Sequence, residues 1–320
     1  MPREKVMASI DIGSQAVQML VARCYPDGHM EPINEYVAAT HLAAGLHESG
    51  ELSEDSMSNT IKAAKEMQEI ATQEGSSTIF LTTCSAIREA SNKSRFLLMC
   101  NQKLNIYPQL LSGKDEARLS YLGVTIGLPQ GKPALVLGVG GSSIQIAYGV
   151  GGSIVFAGGV PFGAGAIERQ HAFGNSTNIL KQRQVSNQVK KDLQDICNGY
   201  FAWAGSLKEK PEALLSGSIA SNLAGLILGH PVVDFKSVDH TPCSDEELFD
   251  QFKKLARLNT KERLAVPGID PAMEKLLVSG LFLLHCLLEC FQVEDFKISY
   301  GGLRTGVIRY LMSNSSNKAQ

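Results

Sequence analysis

The sequence lacks paired CxxC spacing among its seven cysteines, lacks a block of basic residues, and has no apolar run approaching the roughly eighteen residues of a membrane span. Each absence removes a class of function. Scattered thiols in odd number, with no signal-peptide pattern, point to reduced cysteines in the cytoplasm rather than a disulfide framework. A formal net charge of -2 leaves no electrostatic footprint for nucleic acid. The missing span leaves no membrane partner. His285, Cys286 and Cys290 fall close together in Leu281–Cys290, where metal ligation and helix core are both open. The run is apolar almost all round, which favours core. What remains is a globular chain, 44% hydrophobic and 19% charged. At 320 residues it is large for one core, so two domains are expected.

Two stretches share one form. Met7–Val21 reads as strand, turn and strand, with the turn at Gly13 and Ser14. Leu135–Ala147 reads the same way around Gly140, Gly141, Ser142 and Ser143. Glycine lets a backbone approach an anion closely enough for several N–H groups to reach it. The pair suggests a duplicated domain with two phosphate-gripping hairpins facing one cleft.

The rest of the chain fits that duplication. Strands are expected at Val6–Ile12, Val17–Arg23 and Glu35–His41. Ser53 is an N-cap for a helix towards Gln73. A strand at Ser77–Thr82, a short helix at Ser85–Ala90, a strand at Asn105–Leu111 and a helix from Gly113 to Gly123 complete an order βββαβαβα. This is the order of a ribonuclease-H-like α/β domain. Pro129–Pro133 reads as a linker, which gives domains 1–128 and 129–320. The second domain opens with strands at Ala134–Leu137, Ile144–Gly149 and Ser153–Val160. Helices follow at Gly163, Leu180–Tyr200, Ser218–Leu228, Asp245–Leu258 and Ala272–Cys290. Strands are expected at Glu212–Leu215 and Phe296–Tyr300, with a last helix at Gly302–Leu311. The tail Ser313–Gln320 reads as disordered.

Five segments, in order, resemble the exopolyphosphatase / guanosine pentaphosphate phosphohydrolase family of the actin and sugar-kinase superfold. Asp11 to Gln15 is similar to the family's Asp-x-Gly-Ser-Asn loop. Leu42–Leu46 followed by Gly50–Ser53 is similar to its "LGEGL…G-x-L-S" element. Thr83–Asn92 is similar to "TSALRDASN", Leu111–Val124 to "ISGEEEARLIYLGV", and Gly302–Gly306 to "GLREG". The chain ends where longer members carry a further helical domain, so it resembles the short form. The resemblance implies release of terminal phosphate from polyphosphate or from guanosine pentaphosphate, with polyphosphate or guanosine pentaphosphate/tetraphosphate as the bound partner.

On that pattern Glu116 is the general base activating water, and Asp11 is a second catalytic carboxylate and the one retained candidate metal ligand. Arg88 holds a phosphate through its planar fork. Gly13, Ser14, Gln15, Gly140, Gly141, Ser142 and Ser143 supply further phosphate donors. The second loop departs from the pattern. Where the family writes Asp-x-Gly-Gly-Gly-Ser-Thr-Glu, this chain has Gly138 in place of the first acid and Gln145 in place of the last. Gln15 replaces an asparagine, His41 an arginine, and the turn Leu215–Ile219 has lost two glycines. Mg²⁺ prefers carboxylate oxygens, so the implied Mg²⁺ is held more weakly. Losing a group that acts in such chemistry typically costs roughly 10²- to 10⁴-fold in rate.

Two functions follow from these residues. One is a slow phosphohydrolase of this family, resting on Asp11, Arg88 and Glu116. The other is a non-catalytic binder of polyphosphate or a guanosine polyphosphate, resting on Gly138 and Gln145. A kinase would need an adenine-binding glycine turn, of which Leu215–Ile219 is a poor version. The apolar helix Leu276–Leu288 suits a homodimer as well as a core.

Overall fold

The computed structural model describes residues 4–83, 85–173, 178–230 and 239–317. The chain groups into two units: Met1–Gly123 with Leu303–Gln320, and Val124–Gly302.

In the first unit, β1 (Lys5–Ile12), β2 (Ala16–Cys24) and β3 (Met30–Ala39) form an antiparallel meander. β4 (Thr78–Thr83) and β5 (Gln109–Leu110) add in parallel on the other edge, giving the order β3-β2-β1-β4-β5. The parallel additions need crossovers. These are α1 (Leu46–Ser49), α2 (Glu54–Gln73), α3 (Ser85–Glu89) and α4 (Lys93–Leu104), and α5 (Gly113–Val124) follows β5. Ser53 caps α2 as expected: its side chain accepts from the Ser56 N–H at 3.2 Å. One face of β1 buries Ala8, Ile10 and Ile12 against Met57, Ile61 and Ala64 of α2.

The second unit repeats this plan. β6 (Pro133–Val139), β7 (Ile144–Val150) and β8 (Ser153–Val160) form the meander. β9 (Glu212–Ser216) pairs parallel to β6. With β10 (Thr241–Ser244) and β11 (Asp295–Ile298) the order is β10-β11-β9-β6-β7-β8. Among the described residues the helices are α6 (Ala164–His171), α7 (Ile179–Ala204), α8 (Ser218–Leu228), α9 (Asp245–Leu255), α10 (Thr260–Leu264) and α11 (Glu274–Phe291). The near-continuous apolar sequence of α11 is explained by its place in the core, where Leu277, Leu281, Leu284 and Leu288 are fully buried. Cys286 is buried there too, and His285 Nδ1 lies 2.8 Å from Asp245 Oδ1. Among the described residues no helix is long and apolar enough to cross a membrane.

The last helix departs from expectation in two ways. α12 (Leu303–Asn317) runs through the start of the segment read as disordered. It also groups with the first unit, which ends at Gly123 and not at 128. Ile308 fills a pocket between Met7, Leu20, Ala22 and Cys24 on the sheet face opposite α2. Gly306 makes the approach feasible, because a Cβ there would overlap the Leu119 carbonyl of α5. Arg309 Nη1 then donates to the Leu122 carbonyl at 2.8 Å. A helix distant in sequence thus completes the first sheet's second face.

Candidate active site

The β1–β2 and β6–β7 turns are built alike. Gly13 N–H donates to Ala16 O at 3.0 Å, and Gly140 N–H donates to Ser143 O at 2.8 Å. The segment after the third strand braces each turn. Ala43 N–H donates to Ser14 O at 3.0 Å, while Thr40 and His41 N–H donate to Gln15 O at 3.0 and 2.9 Å. In the second unit the first turn of α6 does this. Ala164 N–H donates to Gly140 O at 2.9 Å and Gly165 N–H to Gly141 O at 2.8 Å. Gly163 is needed for that approach, since a Cβ would overlap the Gly140 carbonyl. In a trans peptide the next N–H points opposite to the carbonyl. The Gln15 N–H is therefore directed away from the 40–43 brace, and the Gly141 and Ser142 N–H groups away from α6. Each turn presents donors on its unbraced side, the arrangement that receives an oxyanion.

The first unit gathers its charged candidates around its turn. Asp11 stands at the end of β1, level with Thr82 in the parallel register. The buried Thr82 hydroxyl donates to Asp11 Oδ1 at 2.9 Å. Ser112 opens α5: its hydroxyl accepts from the Asp115 N–H at 3.1 Å, and Glu116 N–H donates to Ser112 O at 2.9 Å. Glu116 is thereby fixed in the first helical turn. Arg88, on α3, spans the gap. Its Nη1 donates to Glu116 Oε2 at 3.1 Å and to the Leu111 carbonyl at 2.7 Å. The two side chains are 26% and 12% exposed. Burial pushes the Glu116 carboxyl from 4.5 up to about 7; Arg88 opposes the rise, and the Asp11 charge adds to it. Asp11, Arg88 and Glu116 therefore form one electrostatic cluster, as their motifs imply. Arg88, expected to hold a phosphate, is bonded to Glu116.

Thr82 is a contact that sequence reading missed. Its signal was positional: a hydroxyl residue at the C-terminal end of the strand parallel to β1. Ser216 holds the equivalent place opposite Gly138.

The second unit's turn carries Gly140, Gly141, Ser142 and Ser143 as expected, but its strand ends are neutral. Gly138 pairs directly with Gln145. Among the described residues no group of three or more His, Cys, Asp or Glu side chains could hold a metal ion. The donor set does not fit a cation held by the protein alone.

A family model described as the Ppx/GppA phosphatase family matches residues 20–315. The chain belongs to this family. Among curated Ppx/GppA relatives, a guanosine-5'-triphosphate,3'-diphosphate pyrophosphatase of Pseudoalteromonas atlantica is 22% identical over 97% of the chain, which spans 59% of that relative's length. Exopolyphosphatase 1 of Mycobacterium bovis is 24% identical over 93% of the chain and 86% of its own length. Among solved Ppx/GppA structures, the Aquifex aeolicus family member superposes with a TM-score of 0.80, covering 99% of this chain and 100% of that one at 22% identity. An exopolyphosphatase from Cytophaga hutchinsonii gives 0.85 at 19% identity, covering 97% and 98%. The fold is that of the two-domain, actin-like Ppx/GppA proteins.

Proposed function

We propose that the chain hydrolyses a terminal phosphoanhydride, of polyphosphate or of guanosine pentaphosphate, with Glu116 as general base. The observation that carries this reading is the buried Glu116 carboxyl at about 7, set beside Asp11 and tied to Arg88. A base acts best with a pKa near the working pH. Ionised Glu116 takes a proton from water as the water oxygen bonds to the terminal phosphorus. The bridging P–O bond breaks, and the shortened chain leaves with the electron pair. Turn N–H groups hold the phosphoryl oxygens, and Arg88 exchanges Glu116 for phosphate as the anion arrives. No step is assigned to a metal.

A second reading, a binder of the same anions with little turnover, is favoured by the Gly138–Gln145 pair. The experiment is phosphate release from polyphosphate and from guanosine pentaphosphate, with calorimetric binding alongside. Release that persists in Glu116→Gln removes the mechanism. Binding without release selects the second reading. Gly138→Asp with Gln145→Glu is expected to raise release in Mg²⁺. A Cβ on Gly138 would stand at ordinary contact distance, 3.5 Å, from its nearest neighbour, Gln145 Oε1.

A further inference from the structure

Gly138 and Gln145 are cross-strand partners that fill one space. Gln145 Oε1 lies 3.5 Å from where a Cβ on Gly138 would stand. The other end of the amide is directed at the turn, where Nε2 donates to Ser143 Oγ at 2.6 Å. A hydroxyl has one proton and two lone pairs. By accepting from Gln145, Ser143 keeps its own proton to give elsewhere. An ionised glutamate at 145 would have no proton to donate, and Ser143 would give its proton to that carboxylate instead. The amide therefore reverses the polarity of the Ser143 hydroxyl.

Charge changes in the same direction. Acids at 138 and 145 would place two negative charges at the strand ends, and a polyanion could approach them only with a cation between. Glycine and glutamine require no cation. Ser143 is buried within the turn whose Gly141 and Ser142 N–H groups point away from the α6 brace.

We propose that the β6–β7 turn is a metal-independent anion site. In it the Ser143 hydroxyl, turned outward by Gln145, joins the Gly141 and Ser142 N–H groups on one phosphoryl group. The inference rests on reading this turn as a phosphate loop, and it specifies how that loop works without a cation.

The test is calorimetric titration of the full chain with tripolyphosphate, once in EDTA and once in Mg²⁺. Wild type is expected to bind in EDTA, with affinity changed less than about threefold by Mg²⁺. Ser143→Ala loses a hydrogen bond to a charged group and is expected to bind about tenfold more weakly in EDTA. Gln145→Glu is expected to lose at least as much in EDTA and to regain affinity in Mg²⁺. Circular-dichroism melts matching wild type confirm that both variants are folded. Wild-type binding that appears only with Mg²⁺, or Gln145→Glu binding equal to wild type in EDTA, overturns this inference and leaves the hydrolase reading standing. Absence of binding in both buffers overturns it together with the phosphate-loop reading.

Discussion

Replacing Glu116 by glutamine is expected to change activity and stability in opposite directions, and both changes can be sized. A carboxyl that titrates at 4.5 in the unfolded chain and at about 7 in the fold carries about 3 kcal/mol of linkage. Below pH 4.5 both states hold the proton, and the group contributes no pH dependence. Between 4.5 and 7 the unfolded chain releases its proton while the fold keeps it, so stability falls as pH rises. Above about 7 the loss is complete. Glutamine stays neutral throughout. The urea unfolding free energy of Glu116→Gln minus wild type, followed by far-UV circular dichroism, should therefore rise by about 3 kcal/mol from pH 4.5 to 8. Phosphate release by wild type should climb through pH 7 as the base ionises and level off above 8, while the variant should release little at any pH. A stability difference that stays flat across this range refutes the buried-carboxylate argument. An unchanged pH–rate profile in the variant refutes the role of Glu116 as base.

Two other residues give independent checks. Thr82→Val keeps the shape of a buried side chain but removes the donor to Asp11; a loss of about 10- to 100-fold in turnover is expected, with thermal midpoint nearly unchanged and Thr82→Ser restoring activity. Equal activity in Thr82→Val and wild type would show that the contact does not position Asp11. In the second unit, Arg263 and Glu274 form an ion pair with both side chains 4% exposed, and Arg263 Nη1 also donates to the Leu258 carbonyl at 2.6 Å. Arg263→Ala leaves the Glu274 charge buried, with an expected cost of about 3–5 kcal/mol in urea unfolding; a cost under about 1 kcal/mol would mean that water reaches the pair.

Much of the fold was legible because its signals are local. Ser53 capping α2 and the small residues at 216–218 opening α8 each mark an element boundary that the structure reproduces. α4, with a polar face and no side-chain cap hydrogen bond, carried no comparable start signal. β10 is a four-residue edge strand containing Pro242, which reads as loop until its partner β11 is known. The placement of α12 depended on a contact across the sequence, Gly306 against Leu119, that no local pattern encodes. The same division holds at the site. The family resemblance pointed to Asp11, Arg88 and Glu116, whereas the Arg88–Glu116 bond and the Thr82 contact come from strand register and helix placement.

Four of the departures from the family pattern fall in two pairs. Gln15 and His41 lie 26 positions apart, yet His41 Nδ1 is 3.2 Å from Gln15 Oε1, and the His41 N–H donates to the Gln15 carbonyl. Gly138 and Gln145 are likewise in contact across a strand pair. Erosion of an unused site would remove single groups and leave their partners buried and unsatisfied, at a cost of about 1–3 kcal/mol each. In these two pairs each changed residue meets another changed residue, with Gln15 Oε1 beside His41 Nδ1 and Gln145 Nε2 donating to Ser143 Oγ. His41 holds a left-handed backbone conformation, φ 48°, and its N–H donates to the first turn. Pairs of this kind are what the proposed metal-independent use of the second turn would leave.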